Sequence, residues 1–378
     1  MYRDHGVIPK SSRDDNFNKP SDDLSTYRYV EPGDLVLNKM KTWQGSLAVS
    51  RFAGIVSPAY YVCSLTAEVE PRFIHYLLRS APYIAMYGAR SKGIRPNQWD
   101  LPYDEFKTVP VLLPPLDVQR RIADFLDDQV TRIDQAIGLR ERQVELLSSE
   151  EKSLLDKILA ASDEERLLAQ LADSQRRIQY GIVLPGPDFP GGVPIVKGGD
   201  VAAGRMSPEE LNRTDPAIES GYPRSRLIAG DIVIAIRGSV GEVAVVPETL
   251  EGANITQDAA RIAPHGCDPT WLRWVLATPT VQGRIRREIT GATVTGINIG
   301  ALRRIRIPFV PLDEQIQRGR AATELAGRSQ RLQALATRSK HLLLERKRSL
   351  ITAAVTGEFD VFTASSRASG VVMDGVGG

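Results

Sequence analysis

Cysteine is nearly missing from this chain. Two residues in 378, Cys63 and Cys267, cannot build a disulfide framework. Histidine is almost as scarce: His5, His75, His265 and His341 are scattered, and no Cys/His spacing resembles a zinc site. No apolar run approaches the roughly 18 to 20 residues of a membrane-spanning helix. The N-terminal Met-Tyr-Arg-Asp-His-Gly lacks the apolar core of a signal peptide. These absences point to a cytoplasmic protein without membrane association. Signature motifs are missing too: there is no Gly-x-Gly-x-x-Gly, no Gly-Lys-Ser/Thr phosphate loop, no His-Glu-x-x-His and no Asn-Pro-Pro-aromatic run. Glu150-x-Lys152 and Glu345-x-Lys347 match the tail of a nuclease motif, but both fall on expected long helices, without the upstream Asp on a strand. The expectation is a chain with no catalytic residues, no cofactor and no metal.

What is present is ordinary in bulk and unusual in arrangement. The apolar share of 42% and charged share of 25% suit a folded soluble protein, and the length allows two or three domains. Net charge is only +2, which neither supports nor excludes a polyanionic partner. The kind of cation says more: between Glu165 and Leu312 there are 16 arginines and one lysine, Lys197. The planar guanidinium suits bidentate contact with phosphate or guanine edges, although a preference for arginine codons gives the same count.

Laid against itself, the chain repeats. Gly33-Asp34-Leu35-Val36 matches Gly230-Asp231-Ile232-Val233, and Gly45, Ala48 and Val49 match Gly241, Ala244 and Val245. Pro115-Leu116-Asp117-x-Gln119 matches Pro311-Leu312-Asp313-x-Gln315. Between these anchors, Phe73 to Leu78 has the pattern of Trp271 to Leu276. A repeat this long means two similar domains rather than a solenoid. In each copy the Gly-Asp turn feeds a strand. Further strands are expected at Ala59 to Leu65, Gly241 to Val246, Thr108 to Leu113 and Arg304 to Val310, with short helices at Pro71 to Leu78 and Pro269 to Leu276.

After each globular part comes one long helix of about 43 residues, roughly 65 Å at 1.5 Å per residue. In the first, Asp117 can cap the start, and Ile122, Leu126, Ile133, Ile137, Val144, Leu147, Leu154 and Ile158 form one face, skipping Gln129, Arg140 and Glu151. In the second, Leu325, Leu332, Ala336, Leu343, Leu350 and Ala353 form a heptad seam, with Ser329, Ser339 and Arg346 in its polar places. A lone helix with one apolar face needs a partner. That partner is either the other long helix or the helix's own globular domain.

The residues resemble one known family, the specificity subunits of type I restriction-modification enzymes. Pro115-Leu116-Asp117-Val118-Gln119-Arg120-Arg121-Ile122-Ala123-Asp124-Phe125-Leu126-Asp127 is similar to the boundary where a target recognition domain meets a conserved helix. Ser349-Leu350-Ile351-Thr352-Ala353-Ala354-Val355-Thr356-Gly357-Glu358-Phe359-Asp360-Val361 resembles the end of the second conserved helix. The stretches Gly33-Asp34-Leu35-Val36-Leu37 and Ser57-Pro58-Ala59-Tyr60 fit the recognition domains. The resemblance spans most of residues 27 to 361. It implies an α+β chain: two pseudo-repeated target recognition domains separated by two long helices that form an antiparallel coiled coil. The expected boundaries are 1–113 and 163–310 for the recognition domains, 114–162 and 311–360 for the helices, and 361–378 for a disordered tail. The implied partners are double-stranded DNA, read as two half-sites, together with methylation (M) and restriction (R) subunits; the chain itself would be non-catalytic. The second copy starts near Leu167, whose counterpart would fall thirty residues before Met1, so the first recognition domain is expected to be incomplete at its N-terminus.

On that reading, DNA contacts come from loops and strand ends. In the second domain the candidates are Lys197, Arg205, Arg213, Arg224, Arg226 and Arg237, with the loop residues Thr293, Thr295 and Asn298 beside the glycines Gly291 and Gly296. In the first they are Lys39, Lys41 and Gln44 next to Trp43, and Arg90, Lys92, Arg95, Asn97 and Gln98 of the corresponding loop. Arg or Lys against guanine and Asn or Gln against adenine form a sensible reading set, while each is equally at home as a solvated surface residue. Trp271 and Trp274, three apart on a helix, are read as core. Two other functions stay open: a coiled-coil adaptor without DNA affinity, and a self-sufficient DNA-modifying enzyme.

Overall fold

The computed structural model describes residues 6–12, 23–65, 68–93, 99–290 and 295–361. The elements run β1 (Arg28–Val30), β2 (Leu35–Asn38), β3 (Leu47–Val49), β4 (Gly54–Val56), β5 (Tyr60–Cys63), α1 (Pro71–Leu78), α2 (Ala81–Arg90), α3 (Tyr103–Lys107) and α4 (Leu116–Leu159). They continue with β6 (Glu165–Leu167), β7 (Gln179–Tyr180), β8 (Val193–Val196), α5 (Gly198–Ala203), β9 (Arg213–Thr214), α6 (Pro216–Glu219), β10 (Ile232–Ala235), β11 (Val243–Val245), β12 (Asn254–Ile255) and β13 (Ala259–Ile262). Last come α7 (Pro269–Ala277), α8 (Pro279–Arg287), α9 (Ile299–Arg303), β14 (Arg306–Pro308) and α10 (Leu312–Thr356). The chain divides into two compact units, Met1–Glu141 with Thr337–Gly378, and Arg142–Ala336.

Each unit is built on one doubly buried strand. In unit 1, β2 is the centre of the antiparallel order β3-β2-β5; in unit 2, β10 holds the same place in β11-β10-β13-β7. Ile232 and Ile234 face the core shared with α7 and α8, while Val233 faces a second core with Val196, Leu227 and Ile255. That is why both strands read as continuous apolar runs instead of alternating ones. The turns that launch them are superposable in their bonding. Gly33 (φ 100°) and Gly230 (φ 85°) adopt the left-handed backbone that glycine tolerates best. Gly33 donates to Ser50 O (2.8 Å) and Gly230 to Val246 O (2.9 Å). The next residue's carboxylate, Asp34 or Asp231, accepts the N–H of Glu31 or Ile228, each at 2.9 Å.

The repeated Pro-Leu-Asp-x-Gln motif has a mechanical meaning. Gln119 and Gln315 are buried. The Gln119 amide donates to Pro114 O (2.8 Å), and its oxygen accepts Glu70 N–H (3.0 Å), at the cap of α1. Gln315 repeats this with Val310 O (2.7 Å) and Asp268 N–H (2.8 Å), at the cap of α7. One side chain thus fastens the start of a long helix to a short helix of its own unit, α1 or α7.

The expected strands at Ala59–Leu65, Gly241–Val246 and Arg304–Val310 appear, shortened, as β5, β11 and β14; α1 and α7 lie where the sequence places them. The expected strand at Thr108–Leu113 does not form among the described residues. Its counterpart β14 pairs with β6, whereas in unit 1 the backbone of Pro110 and Leu112 bonds the Tyr83 hydroxyl instead, accepting at 3.1 Å and donating at 3.4 Å. An apolar run becomes a strand only when a neighbouring strand is there to pair with it.

The long helices occupy 44 and 45 residues and pair antiparallel within each unit. In unit 1, Lys347 meets Asp134 (2.7 Å), Lys340 meets Glu141 (2.9 Å) and Arg140 meets the Ser339 hydroxyl (3.2 Å). In unit 2, Gln333 donates to Glu151 (3.4 Å), and Arg318 to the carbonyls of Ile158 and Ala161. The expected seam along α10 holds at Ser329, Ala336 and Ser339 and at Leu325 and Leu350, and residues one position beyond it join the shared face. Leu332 and Arg346 are exposed, while Gln333, Lys340, Lys347 and the buried Ala354 face inward. Near the end of α4, Leu155 and Leu159 enter the core of unit 2 with Ile158 packed against it, and Leu154 is exposed. Leucine placement alone misleads here because complementary charged and amide groups fill the shared face. Lys347, part of the nuclease-like pattern, is held by Asp134. The described residues contain no group of three or more His, Cys, Asp or Glu suited to a metal, and no helix long and apolar enough to cross a membrane. The expected tail, Thr363 to Gly378, lies outside the described residues.

Replacing Gln119 or Gln315 by alanine leaves one buried N–H and one carbonyl without a partner. Each substitution is expected to lower the unfolding free energy of its unit by about 1 to 3 kcal/mol in urea titrations. Denaturation curves coinciding with wild type would show that the bridge is dispensable.

Candidate nucleic-acid interface

Both units deliver a loop to the far end of their central strand. In unit 1, Lys92 and Asp100 exchange two backbone bonds of 2.9 Å, closing the loop between them. The loop is docked where Leu101 donates to Lys39 O (3.1 Å), while Lys39 donates to Ala59 O (3.0 Å). In unit 2, Thr290 and Gly296 close the corresponding loop (2.9 and 3.0 Å), Ile297 donates to Ile236 O (3.0 Å) and Ile236 donates to Asp258 O (2.8 Å). The two sets match bond for bond. They identify Lys39 with Ile236 and therefore Met40 with Arg237.

Around this platform the sequence candidates separate. In unit 1, Lys39, Lys41, Gln44 and Lys92 gather there. The Lys39 ammonium lies 4.8 Å from the Tyr61 ring centre, and Trp43 leans on Trp99 at 4.9 Å. Lys41 is exposed. Lys92 pairs with Glu105 (2.9 Å), and Arg90 turns back to Met86 O (3.2 Å) at the end of α2. In unit 2, Arg237, Thr295 and Asn298 share the platform. Arg237 and Thr295 are exposed, and Asn298 caps α9 by accepting Ala301 N–H (2.8 Å). Gly198 brings α5 to the same place. A Cβ there would lie 2.9 Å from Asp258 O and 3.3 Å from Arg237 O, so the neighbouring Lys197 is held beside the strand end by a contact that only glycine permits. Arg95, Asn97, Gln98 and Thr293 lie outside the described residues.

Much of the arginine wealth of unit 2 is spent on internal structure. Arg205 bonds Asp200 through two nitrogens (3.1 and 2.8 Å). Arg213 clamps the carbonyls of Gly192 and Pro208, and Lys197 reaches Asn212 (2.9 Å). Arg176 grips the buried Asp231 with two bonds. Arg261 is fully buried on β13; one nitrogen serves the carbonyls of Arg177 and Arg224, and its other two find no partner in the described structure. Burial depresses its pKa, aided by repulsion from Arg176. Arg226 bonds both oxygens of the buried Glu219 at 2.6 Å, and Asn254 adds a third bond (2.9 Å). Arg205 and Arg226 stay exposed despite these bonds, as Arg224 is. Trp271 is buried in the core, as expected, and Trp274 donates to Thr323 on α10 (2.9 Å).

The residue that the sequence reading omits is Met40. A base contact is marked in a sequence by charge or hydrogen-bonding capacity, and an apolar side chain carries neither signal.

The Arg226 hydrogen bonds hold the Glu219 carboxyl below its ordinary pKa, against the opposing effect of burial. A depressed folded value contributes stability above the ordinary carboxylate range, lost as pH falls through the folded value. In Arg226→Ala the decline is expected to begin at higher pH than in wild type, measured as unfolding free energy against pH. Identical profiles would disprove the coupling.

No protein-family profile matches the sequence. The chain is 27% identical over 230 residues to the type I restriction enzyme EcoBI specificity subunit of Escherichia coli, a match covering 54% of this chain and 48% of that protein. It is 22% identical over 277 residues to the type I restriction enzyme MjaVIII specificity subunit of Methanocaldococcus jannaschii, covering 68% and 63%. The chain thus matches about half the length of the first relative. Among solved structures, the HsdS subunit from Thermoanaerobacter tengcongensis shares the fold with TM-score 0.54 at 20% identity, covering 88% and 82%. A chain from a study of complex assembly and conformational transition of the type I R-M system has TM-score 0.71 at 19% identity, covering 87% and 83%. The resemblance drawn from the helix-boundary motifs is borne out by these relatives, and the two-unit α+β architecture by these folds.

Proposed function

We propose that this chain, similar in sequence and fold to type I specificity subunits, is the DNA-sequence specificity subunit of a type I restriction-modification system. The observation that carries the proposal is the repeated platform: in both units a loop is docked by equivalent backbone bonds onto the end of the central strand, beside an exposed cation, Lys41 or Arg237. Phosphate contacts from such cations position a protein on the duplex, while side chains on the loops and strand ends reach base edges. Two readers on one chain, within 1–113 and 163–310, call for a bipartite target. The candidate contacts remain Lys39, Lys41, Gln44, Arg90, Lys92, Arg95, Asn97 and Gln98 in the first, and Lys197, Arg205, Arg213, Arg224, Arg226, Arg237, Thr293, Thr295 and Asn298 in the second. Those with internal partners, such as Arg226, act through the shape they maintain unless DNA displaces the bond.

The chain itself is read as non-catalytic, with M subunits supplying methylation and R subunits cleavage. Scaffolding is supported by the exposed leucines of the long helices, Leu139 and Leu342 in unit 1, Leu146 and Leu335 in unit 2. Apolar residues outside the helix seams suit lasting protein contacts. The same leucines are what a coiled-coil adaptor without DNA affinity would show, and salt dependence separates the two readings. Assembled with its M subunits, the chain is expected to bind duplex DNA with affinity falling steeply as salt rises. Lys41→Ala should flatten the log–log slope by about one unit if the cation neutralises one phosphate. Adenine methylation mapped across a host genome should show a two-part motif. Salt-independent binding together with no motif would overturn the proposal.

A further inference from the structure

Met40 stands at the apex of a turn bonded on every side. Its N–H donates to the Asn38 carboxamide oxygen (3.0 Å), and its carbonyl accepts the Trp43 indole N–H (3.0 Å). Lys41 N–H and the Thr42 hydroxyl both donate to Asn38 O (3.1 and 2.7 Å). Trp43 is braced in turn by Trp99. On this fixed support the methionine side chain is 52% exposed between Lys39 and Lys41. Exposing an apolar side chain on so well-determined a turn does nothing for folding: it is absent from the hydrophobic cores of both units.

The internal repeat supplies the comparison. The matching backbone bonds put Met40 where unit 2 holds Arg237, also exposed at the end of the central strand beside the docked loop. One place in the fold thus presents a fork of N–H donors in one unit and a soft apolar group between two cations in the other. In the major groove, an arginine complements the N7 and O6 acceptors of guanine, and an apolar group complements the C5 methyl of thymine. Flanking lysines at this spot suit the phosphates on either side.

We propose that Met40 is a specificity-determining residue that reads a thymine methyl in the half-site of the first recognition domain. The inference rests on the DNA-specificity reading above. It adds that the two half-sites differ at this equivalent position because Met40 and Arg237 differ.

The test uses the chain assembled with its methylation subunits and a randomised duplex pool, comparing wild type with Met40→Ala and Met40→Arg. Wild type is expected to prefer thymine at one position that Met40→Ala tolerates freely, a relaxation of about three- to tenfold, on the scale of one or two buried methyl groups. Deoxyuridine at that position removes only the methyl. It should weaken wild type by the same factor and leave Met40→Ala unchanged. Met40→Arg should move the preference toward guanine. Because the side chain is exposed, both variants should keep the wild-type thermal midpoint, which excludes misfolding. A bipartite wild-type profile that Met40→Ala reproduces in full overturns this inference and leaves the specificity reading standing. Weaker binding by Met40→Ala without a deoxyuridine effect on wild type overturns the thymine-methyl assignment, pointing to an inserted wedge instead. A wild-type complex with no duplex preference overturns both.

Discussion

The carboxamide of Gln119, like that of Gln315, joins three pieces of chain that would otherwise part: the approach to a long helix, the helix itself, and the cap of a short helix, α1 or α7, of the same unit. An amide is suited to this because it offers a donor and an acceptor at a fixed angle within one rigid plane. Buried and satisfied at both ends, it fixes the direction in which the long helix leaves its unit. The Pro-Leu-Asp-x-Gln motif is therefore a joint, and its appearance in both copies shows each copy solving the same mechanical problem in the same way.

Unit 2 solves a further problem with arginine. Two sheets and several short connections leave many carbonyls and a few carboxylates inside, and guanidinium groups with several donors satisfy them in pairs. Arg213 holds two carbonyls, Arg176 and Arg226 each hold a buried acid, and Arg261 lies in the interior. The excess of arginine over lysine thus has a structural explanation beside any functional one. Arg237 and Arg224 stand apart because no side-chain bond holds them among the described residues, whereas Arg205 and Arg226, although also exposed, each hold an acid.

Much of this architecture was legible in the sequence for identifiable reasons. The repeat, the doubly buried strands and both long helices announce themselves through apolar runs, Gly-Asp turns and helical periodicity. Along α10 the expected seam holds at Ser329, Ala336 and Ser339 but not at Leu332 and Arg346, because Gln333, Lys340 and Lys347 reach acids on α4 that no apolar pattern marks. The strand expected at Thr108–Leu113 failed because pairing is not a local property. As for the candidate interface, part of the set read from the sequence falls on the two platforms, at Lys39, Lys41, Lys92, Arg237, Thr295 and Asn298. The sequence could not separate Arg226, spent on Glu219, from Arg237, since both are simply arginines until a partner is seen. It passed over Met40 because hydrogen-bonding capacity was the criterion.

The platform loops are docked through main-chain groups: Leu101 N–H on Lys39 O in one unit, Ile297 N–H on Ile236 O in the other. Main-chain bonds are indifferent to the identity of the side chain on the same residue. The loops can thus exchange their outward residues over generations without losing their seat. In the proposed DNA-reading role, a lineage carrying this fold can drift from one target to another by small, individually folded steps.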